Sequence, residues 1–216
     1  MIRIYAINSQ AMLDREQRFT SALQAALDGG IDWFQLRDKR DHDTKRERTA
    51  RLAQQLCRDA GVPLLINDDL ALATTIGADG LHVGQGDAAV QLARRRLGPH
   101  ALIGCSCHDR HELAAAASRD GASYVAFGRL FASRTKPEAP AADLDYVRQH
   151  IAKLPIPTCV IGGIRPENVH QAIGTGAHIL AVVDSIFGAA DIRLAVRRLR
   201  QAIDHASSIN ANAGVS

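Results

Sequence analysis

Aromatic side chains make up only 4% of this 216-residue chain, and its net charge is only +3. No block of lysine and arginine interleaves with the aromatics, so the sequence lacks the basic, stacking surface of a nucleic-acid binder. Any charge that meets an anion has to be local. Long apolar runs are missing too, since none approaches the roughly 18 residues that a membrane span needs. Met1 to Ser9 lack the basic-then-apolar layout of a secretion signal, so a cytoplasmic protein is expected. The four cysteines, Cys57, Cys105, Cys107 and Cys159, fall within apolar or strand-like stretches and not at regular loop spacings. Buried thiols are therefore expected in place of disulfides, and Cys105-x-Cys107 alone is a weak zinc signal.

What the chain does have is an ordinary globular composition, 46% hydrophobic and 23% charged, and a length within the range of roughly 200 to 250 residues where α/β barrels form one domain. Eight short β-branched or apolar runs recur: Ile2 to Asn8, Trp33 to Asp38, Pro63 to Asp68, Gly80 to Gly84, Leu102 to Cys107, Tyr124 to Gly128, Thr158 to Gly163 and His178 to Asp184. Segments of helical period lie between them, among them Arg15 to Leu27, Thr44 to Asp59, His111 to Arg119, Leu144 to Lys153 and Glu167 to Ile173. Glycine marks the helix-to-strand joins at Gly30, Gly61, Gly77, Gly121 and Gly176, as a left-handed C-cap requires. The phrases Gly77-Ala78-Asp79, Gly121-Ala122-Ser123 and Gly176-Ala177-His178 suggest a repeated βα unit. A single-domain α/β (β/α)8 TIM barrel over 1–206 is expected, sealed by a last helix from Ile192 to His205, with 207–216 as a structureless tail.

In such a barrel the active site gathers at the C-terminal ends of the strands. Gln35, Arg37 and Lys39 share one face of strand two, which suits a polyanionic ligand, while Phe34, Leu36 and Asp38 take the other. Asp68 and Asp87, at the ends of strands three and four, fit either a Mg2+ site or helix N-caps; Asp69 reads as a cap. On strand five, alternation turns Ser106 and His108 away from the two cysteines, and His82 and His108 read as structural histidines. Ser133 to Lys136 form a hydroxyl-rich loop with cations, able to hold a phosphate. Gly162-Gly163-Ile164 lets backbone amides approach a phosphate closely, and Pro166 suits a first helical turn.

In this order the motifs Q-x-R-x-K at Gln35 to Lys39, I-N-D at Ile66 to Asp68, G-A-D-G-x-H-x-G-Q-x-D at Gly77 to Asp87, G-x-S-x-H at Gly104 to His108, a hydroxyl-x-T-K at Ser133 to Lys136 and I-G-G-I at Ile161 to Ile164 resemble the thiamine phosphate synthase family. The likeness runs from about Tyr5 to Phe187. It implies a transferase of thiamine biosynthesis that joins an aminopyrimidine pyrophosphate to a carboxythiazole phosphate, releasing pyrophosphate and CO2. The resemblance places Gln35, Leu36, Arg37, Asp38, Lys39, Asn67, Ser106 and Lys136 on the pyrimidine pyrophosphate. Arg37, Lys39, Ser106 and Lys136 would act in catalysis, with one Mg2+ on Asp68 and Asp87. Ser133, Arg134, Thr135, Gly163, Val183 and Asp184 would bind the thiazole phosphate.

The chain departs from the family at two positions: Ser133 stands where Thr is common, and Asp184 where Ser is common, which adds a negative charge beside an expected phosphate. The alternatives are a thiazole tautomerase or regulatory barrel of the same superfamily, which would not need the pyrophosphate set, and a non-catalytic phosphate sensor, which would not need the carboxylates. The implied partners are the two small-molecule substrates, without nucleic acid or membrane. A homo-oligomer is compatible with the sequence.

Overall fold

The computed structural model describes residues 1–84, 87–132 and 142–213, with the side chains of 87–88 and 210–213 outside that description. Among the described residues, eight parallel strands close into a barrel in sequence order: β1 Arg3–Ile7, β2 Trp33–Leu36, β3 Leu64–Asn67, β4 Gly80–Val83, β5 Leu102–His108, β6 Tyr124–Gly128, β7 Thr158–Ile161 and β8 Ile179–Val182. Helices α1 Glu16–Gly29, α2 Asp43–Asp59, α3 Leu70–Ile76, α4 Asp87–Leu97, α5 His111–Arg119, α6 Leu144–Ile151, α7 Val169–Gly174, the short α8 Asp184–Phe187 and α9 Ile192–Ala213 surround it. A 3-10 turn, Gln10–Asp14, leads into α1. All eight strand expectations are met: β6 matches at both ends, β5 runs one residue further, and the other six are shorter by one to a few residues. The five join glycines all adopt positive φ.

Strand alternation sorts the apolar residues into two cores. Ile4, Ala6, Phe34, Leu36, Leu64, Ile66, Leu81, Ile103, Val125, Val160 and Leu180 face the helices, where they pack with residues such as Phe19, Leu23, Val147 and Val196. Tyr5, Ile7, Leu65, Tyr124, Ala126, Cys159, Ile179 and Ala181 fill the barrel itself. Burying each large apolar side chain contributes about 1.5 to 3 kcal/mol, so a register slip that turned one strand over would exchange polar and apolar faces at a cost of several such terms. The scarce aromatics are concentrated inside. The single Trp and two of the three Tyr form an interior cluster, with Trp33, Tyr5 and Tyr124 ring centroids 5.3 to 5.8 Å apart. They make the floor on which the site rests. Arg3 closes the opposite end, its guanidinium carbon 5.5 Å from the Trp33 ring centroid.

Three expectations need correction. Helix α9 continues past His205 to Ala213, because no glycine or proline interrupts the chain before Gly214 and nothing stops the helix that Val196, Leu199, Ile203 and Ala206 anchor. Helix α7 starts at Val169, not Glu167, since the Asn168 side chain is occupied in the preceding turn: its Oδ1 accepts from Arg165 N at 2.8 Å and its Nδ2 donates to Gly163 O at 3.0 Å. Pro166 thus lies in that turn and not in the helix. His108, read as a structural histidine, is exposed and lines the barrel mouth, where a register shift between Ser106 and His108 interrupts the pairing of β5 with β6.

The four cysteines are buried thiols; burial pushes the Cys57 thiol up to about 12, so it stays protonated and inert. No helix among the described residues is long and apolar enough to cross a membrane.

Candidate active site at the barrel mouth

A cavity of about 320 Å3 opens at the C-terminal ends of the strands. Its lining includes Gln35, Arg37, Lys39, Asn67, Asp68 and Ser106 from one side of the barrel, and Gly163, Val183 and Asp184 from the other. The fold therefore gathers into one space the described residues expected from strands two, three, five, seven and eight, apart from Leu36 and Asp38. The Leu36 side chain is buried in the core between sheet and helices. Asp38 pairs with Arg40, whose Nε lies 2.9 and 3.0 Å from its two oxygens. Both follow from the period of two that turns them away from the lumen; Asp38 braces the loop after β2. Ser133, Arg134, Thr135 and Lys136 lie outside the described residues, as does the Asp87 side chain.

Asn8, at the end of β1, was not singled out from the sequence, yet it sets Arg37 in place. It is buried; its Oδ1 accepts from Arg37 N at 2.7 Å and its Nδ2 donates to Arg37 O at 3.1 Å. The backbone of the cationic residue is thereby fixed at both polar groups, which lowers the reorganisation its guanidinium needs on meeting an anion.

Asp68 sits in the left-handed region, φ 62°, which Asp tolerates better than most residues. This turns its carboxylate to the mouth, where Oδ2 accepts from Lys39 Nζ at 2.8 Å and Asn67 Nδ2 at 2.7 Å, and Oδ1 from Gly84 N at 3.2 Å. Burial pushes the carboxyl up, but Lys39, Asn67 and the Gly84 N–H together more than offset that, so its pKa is held below the ordinary range. It is an anion at neutral pH. Asp69, beside it, caps α3 by accepting from Leu72 N at 2.9 Å, as expected. The neighbouring carboxylates thus divide between mouth and helix.

Beneath the cationic side, the cavity floor is polar. Gln35 Nε2 donates to Tyr5 Oη at 2.6 Å, the Tyr5 and Tyr124 oxygens share a hydrogen bond of 2.9 Å, and His82 bonds Tyr124 Oη through Nδ1 at 2.8 Å and Ser106 Oγ through Nε2 at 2.9 Å. His82 is buried and satisfied, as its sequence context suggested, but one of its partners is a site residue. Across the cavity, Gly163 has φ 63° and a Cβ there would come within 2.3 Å of Ala132 O, so the I-G-G-I turn and the loop after β6 are in direct backbone contact. Ser185, also missed from sequence, lines the cavity. Its buried Oγ has no hydrogen-bond partner among the described residues.

Comparison with known proteins agrees with this geometry. The family model described as thiamine monophosphate synthase matches residues 4–186. The thiamine-phosphate synthase of Nitrosococcus oceani is 44% identical over 198 residues, covering 92% of this chain and 91% of that protein. That of Methylococcus capsulatus is 43% identical over 196 residues, covering 91% and 87%. Among solved structures, thiamine phosphate pyrophosphorylase from Pyrococcus furiosus superposes with a TM-score of 0.83 at 27% identity, covering 95% of this chain and 96% of that one. A 3-hexulose-6-phosphate synthase, at 19% identity and a TM-score of 0.70, shares the fold alone. On the family model and these relatives together, the chain belongs to the thiamine monophosphate synthase family.

Proposed function

We propose that this protein is a thiamine phosphate synthase that joins 4-amino-2-methyl-5-(diphosphooxymethyl)pyrimidine to carboxythiazole ethyl phosphate, giving thiamine phosphate, pyrophosphate and CO2. The observation that carries the reading is the two-sided cavity: Arg37, Lys39, Asn67, Asp68 and Ser106 converge on one side and the glycine turn at Gly163 with Val183 and Asp184 on the other, in a chain of this family. A protein that bound only the thiazole would have no use for the first set.

The arrangement suits a dissociative substitution in which the pyrimidine C–O bond breaks first, pyrophosphate leaves with the electron pair, and the thiazole nitrogen captures the resulting methylene cation. Arg37 and Lys39 would meet the charge growing on pyrophosphate; preorganised groups of this kind each contribute about 3 to 4 kcal/mol. Holding both rings in one cavity could contribute roughly 7 to 11 kcal/mol by proximity. Asp68 has the chemistry that Mg2+ requires, a hard, ionised oxygen ligand at the open mouth, and Asp87 at the start of α4 is the second carboxylate proposed. Bound there, Mg2+ would neutralise pyrophosphate. Lys39 shares Asp68 with that site and would pass to the pyrophosphate oxygens when both are filled.

The test is a coupling assay with both substrates, with and without Mg2+, scored by thiamine phosphate; no product under either condition would overturn the reading. Within it, Lys136→Ala is expected to lower turnover more than it weakens thiazole phosphate binding, since its proposed partner is the leaving group. An unchanged kcat with only a raised KM for the thiazole would move Lys136 to the other substrate.

Asp184 cannot face a bound phosphate directly, because two unit charges about 4 Å apart repel by roughly 4 kcal/mol at an effective dielectric near 20. The phosphate would rest on backbone N–H groups near Gly163, Val183 and Asp184, with the carboxylate turned aside. Asp184→Ser should then change KM for the thiazole phosphate only a few-fold, whereas a hundredfold tightening would place the carboxylate against the phosphate.

A further inference from the structure

Asp69, read from the sequence as a helix cap, is tied to more than its own helix. Its Oδ1 accepts from Leu72 N at 2.9 Å and so caps α3, while its Oδ2 pairs with Arg46 Nη2 of α2 at 3.0 Å. Both carboxylate oxygens are taken, one by each helix. The residue before it, Asp68, carries the carboxylate that faces the mouth and has φ 62°. Around it Asp69 N donates to Asn67 O at 2.8 Å, a bond to the residue two places back that closes the positive-φ form of the γ-turn, which is rare and strained. Leu70 N then donates to Asp68 O at 3.1 Å, with Asp69 at φ −86° and ψ 87°, in the common inverse form. Two tight turns of opposite hand follow each other.

Strain of this kind persists only where the surroundings over-determine it. On the strand side, Asp68 N donates to His82 O at 2.8 Å just past the end of β3. On the helix side the hold comes through Asp69. Without that anchor the chain between β3 and α3 is free to relax to negative φ at Asp68, and the carboxylate would swing away from Lys39 and Gly84. Neither Asp69 nor Arg46 lines the mouth cavity; they line a recess behind the Lys39–Asp68 pair, together with Asp38 and Arg40. What they do for a ligand in the mouth is therefore done through Asp68. Nor is Arg46 arranged for the greatest stability. Its Nη2 serves both Asp43, at 2.8 Å, and Asp69, and its buried Nε has no hydrogen-bond partner among the described residues. The pair thus lacks the two-pronged geometry that makes arginine–carboxylate contacts strong.

We propose that Asp69, anchored by Arg46, is a positioning residue that holds Asp68 in its strained turn and so aims the Asp68 carboxylate, with its Lys39 partner, at the pyrophosphate side of the cavity. Cap and tether can be separated. An N-cap needs only a side-chain oxygen, which asparagine supplies as well as aspartate; the tether to Arg46 needs the charge. Asp69→Asn therefore keeps α3 capped and weakens the tether, and Arg46→Gln removes the cation while leaving Asp69 in place. Aimed charges act strongly because they need no reorganisation when the ligand arrives, so loss of the tether should be felt at the pyrophosphate and not at the thiazole phosphate. The consequence for turnover rests on the proposed coupling activity; the hold on Asp68 does not.

The experiment compares the native protein with Asp69→Asn, Arg46→Gln and Arg46→Lys. In crystal structures without substrate, Asp69→Asn and Arg46→Gln should show Asp68 at negative φ with its carboxylate out of hydrogen-bond reach of Lys39 Nζ, while Arg46→Lys, which keeps a cation, should retain the native turn. Asp68 unmoved in both charge-removing variants overturns the proposal. In the coupling assay, the same two variants should lower kcat/KM for the pyrimidine pyrophosphate at least tenfold and leave KM for the thiazole phosphate within twofold, and Arg46→Lys should recover most of the loss. Mn2+ binding in the presence of inorganic pyrophosphate, followed by electron paramagnetic resonance, should weaken at least tenfold alongside. An equal loss for both substrates with unchanged Mn2+ affinity would make Asp69 a cap and nothing more. If the native protein couples no substrate, the proposed function fails, and the crystal structures still decide whether Asp69 holds Asp68.

Discussion

Replacing Asp68 by alanine is expected to reduce Mg2+-dependent coupling at least a hundredfold while the melting temperature moves by no more than a few degrees. The carboxylate is half-exposed at the mouth, with 50% of its side chain accessible, and an ion pair that open to solvent adds little to folding. Its removal should therefore spare the fold. The activity loss has two sources: a Mg2+ ligand disappears, and Lys39 loses the partner that holds its ammonium at 2.8 Å over the cavity. Aimed electrostatic groups of this type typically carry factors of about a hundred to a thousand in turnover. Asp87→Ala should behave alike if the two share a metal. Near-normal rates in both variants at saturating Mg2+ would remove the metal from these residues, and a response of Asp68→Ala alone would leave the Lys39 pairing as its main task.

Gly163→Ala should be strongly damaging for a single added methyl group. The glycine has φ 63°, and the added Cβ would lie 2.3 Å from Ala132 O and 2.9 Å from Phe131 Cβ; backbone on one side and a strained dihedral on the other leave nothing flexible to yield. Strain at such a position costs of order 1 to 3 kcal/mol. The displaced backbone at Ala132 runs directly into Ser133, Arg134, Thr135 and Lys136, so both proposed phosphate sites should be disturbed together. A fall in kcat/KM for the thiazole phosphate of at least a hundredfold is expected, with a melting temperature lowered by several degrees. A variant with native kinetics would show that the turn does not set that loop.

How far the sequence reached can be seen at particular residues. The β-branched runs and the glycines closing each helix announce eight βα units because burial and left-handed caps are local demands, satisfied by neighbours in the chain. Alternation along β2 already separated Gln35, Arg37 and Lys39 from Leu36 and Asp38 for the same reason: direction along a strand is a local property. The latter two were carried into the site only by resemblance, and the structure turns their side chains away from the cavity.

Tertiary structure alone decided matters that depend on strand order around the barrel. Asn8 holds Arg37 from 29 positions away, and Tyr124 reaches Tyr5 across 119; nothing in either local sequence marks a partner. Gly104 looked like part of a motif, and its reason appears only when β6 lies beside it and a tyrosine ring fills the missing side chain's place. The ionised state of Asp68 follows from Lys39 in the loop after β2 and an N–H just past the end of β4. A sequence fixes which side chains a strand offers to each face, because that depends on neighbouring bonds; closing eight strands into a ring decides which of them meet, because that depends on distances no neighbouring bond sets.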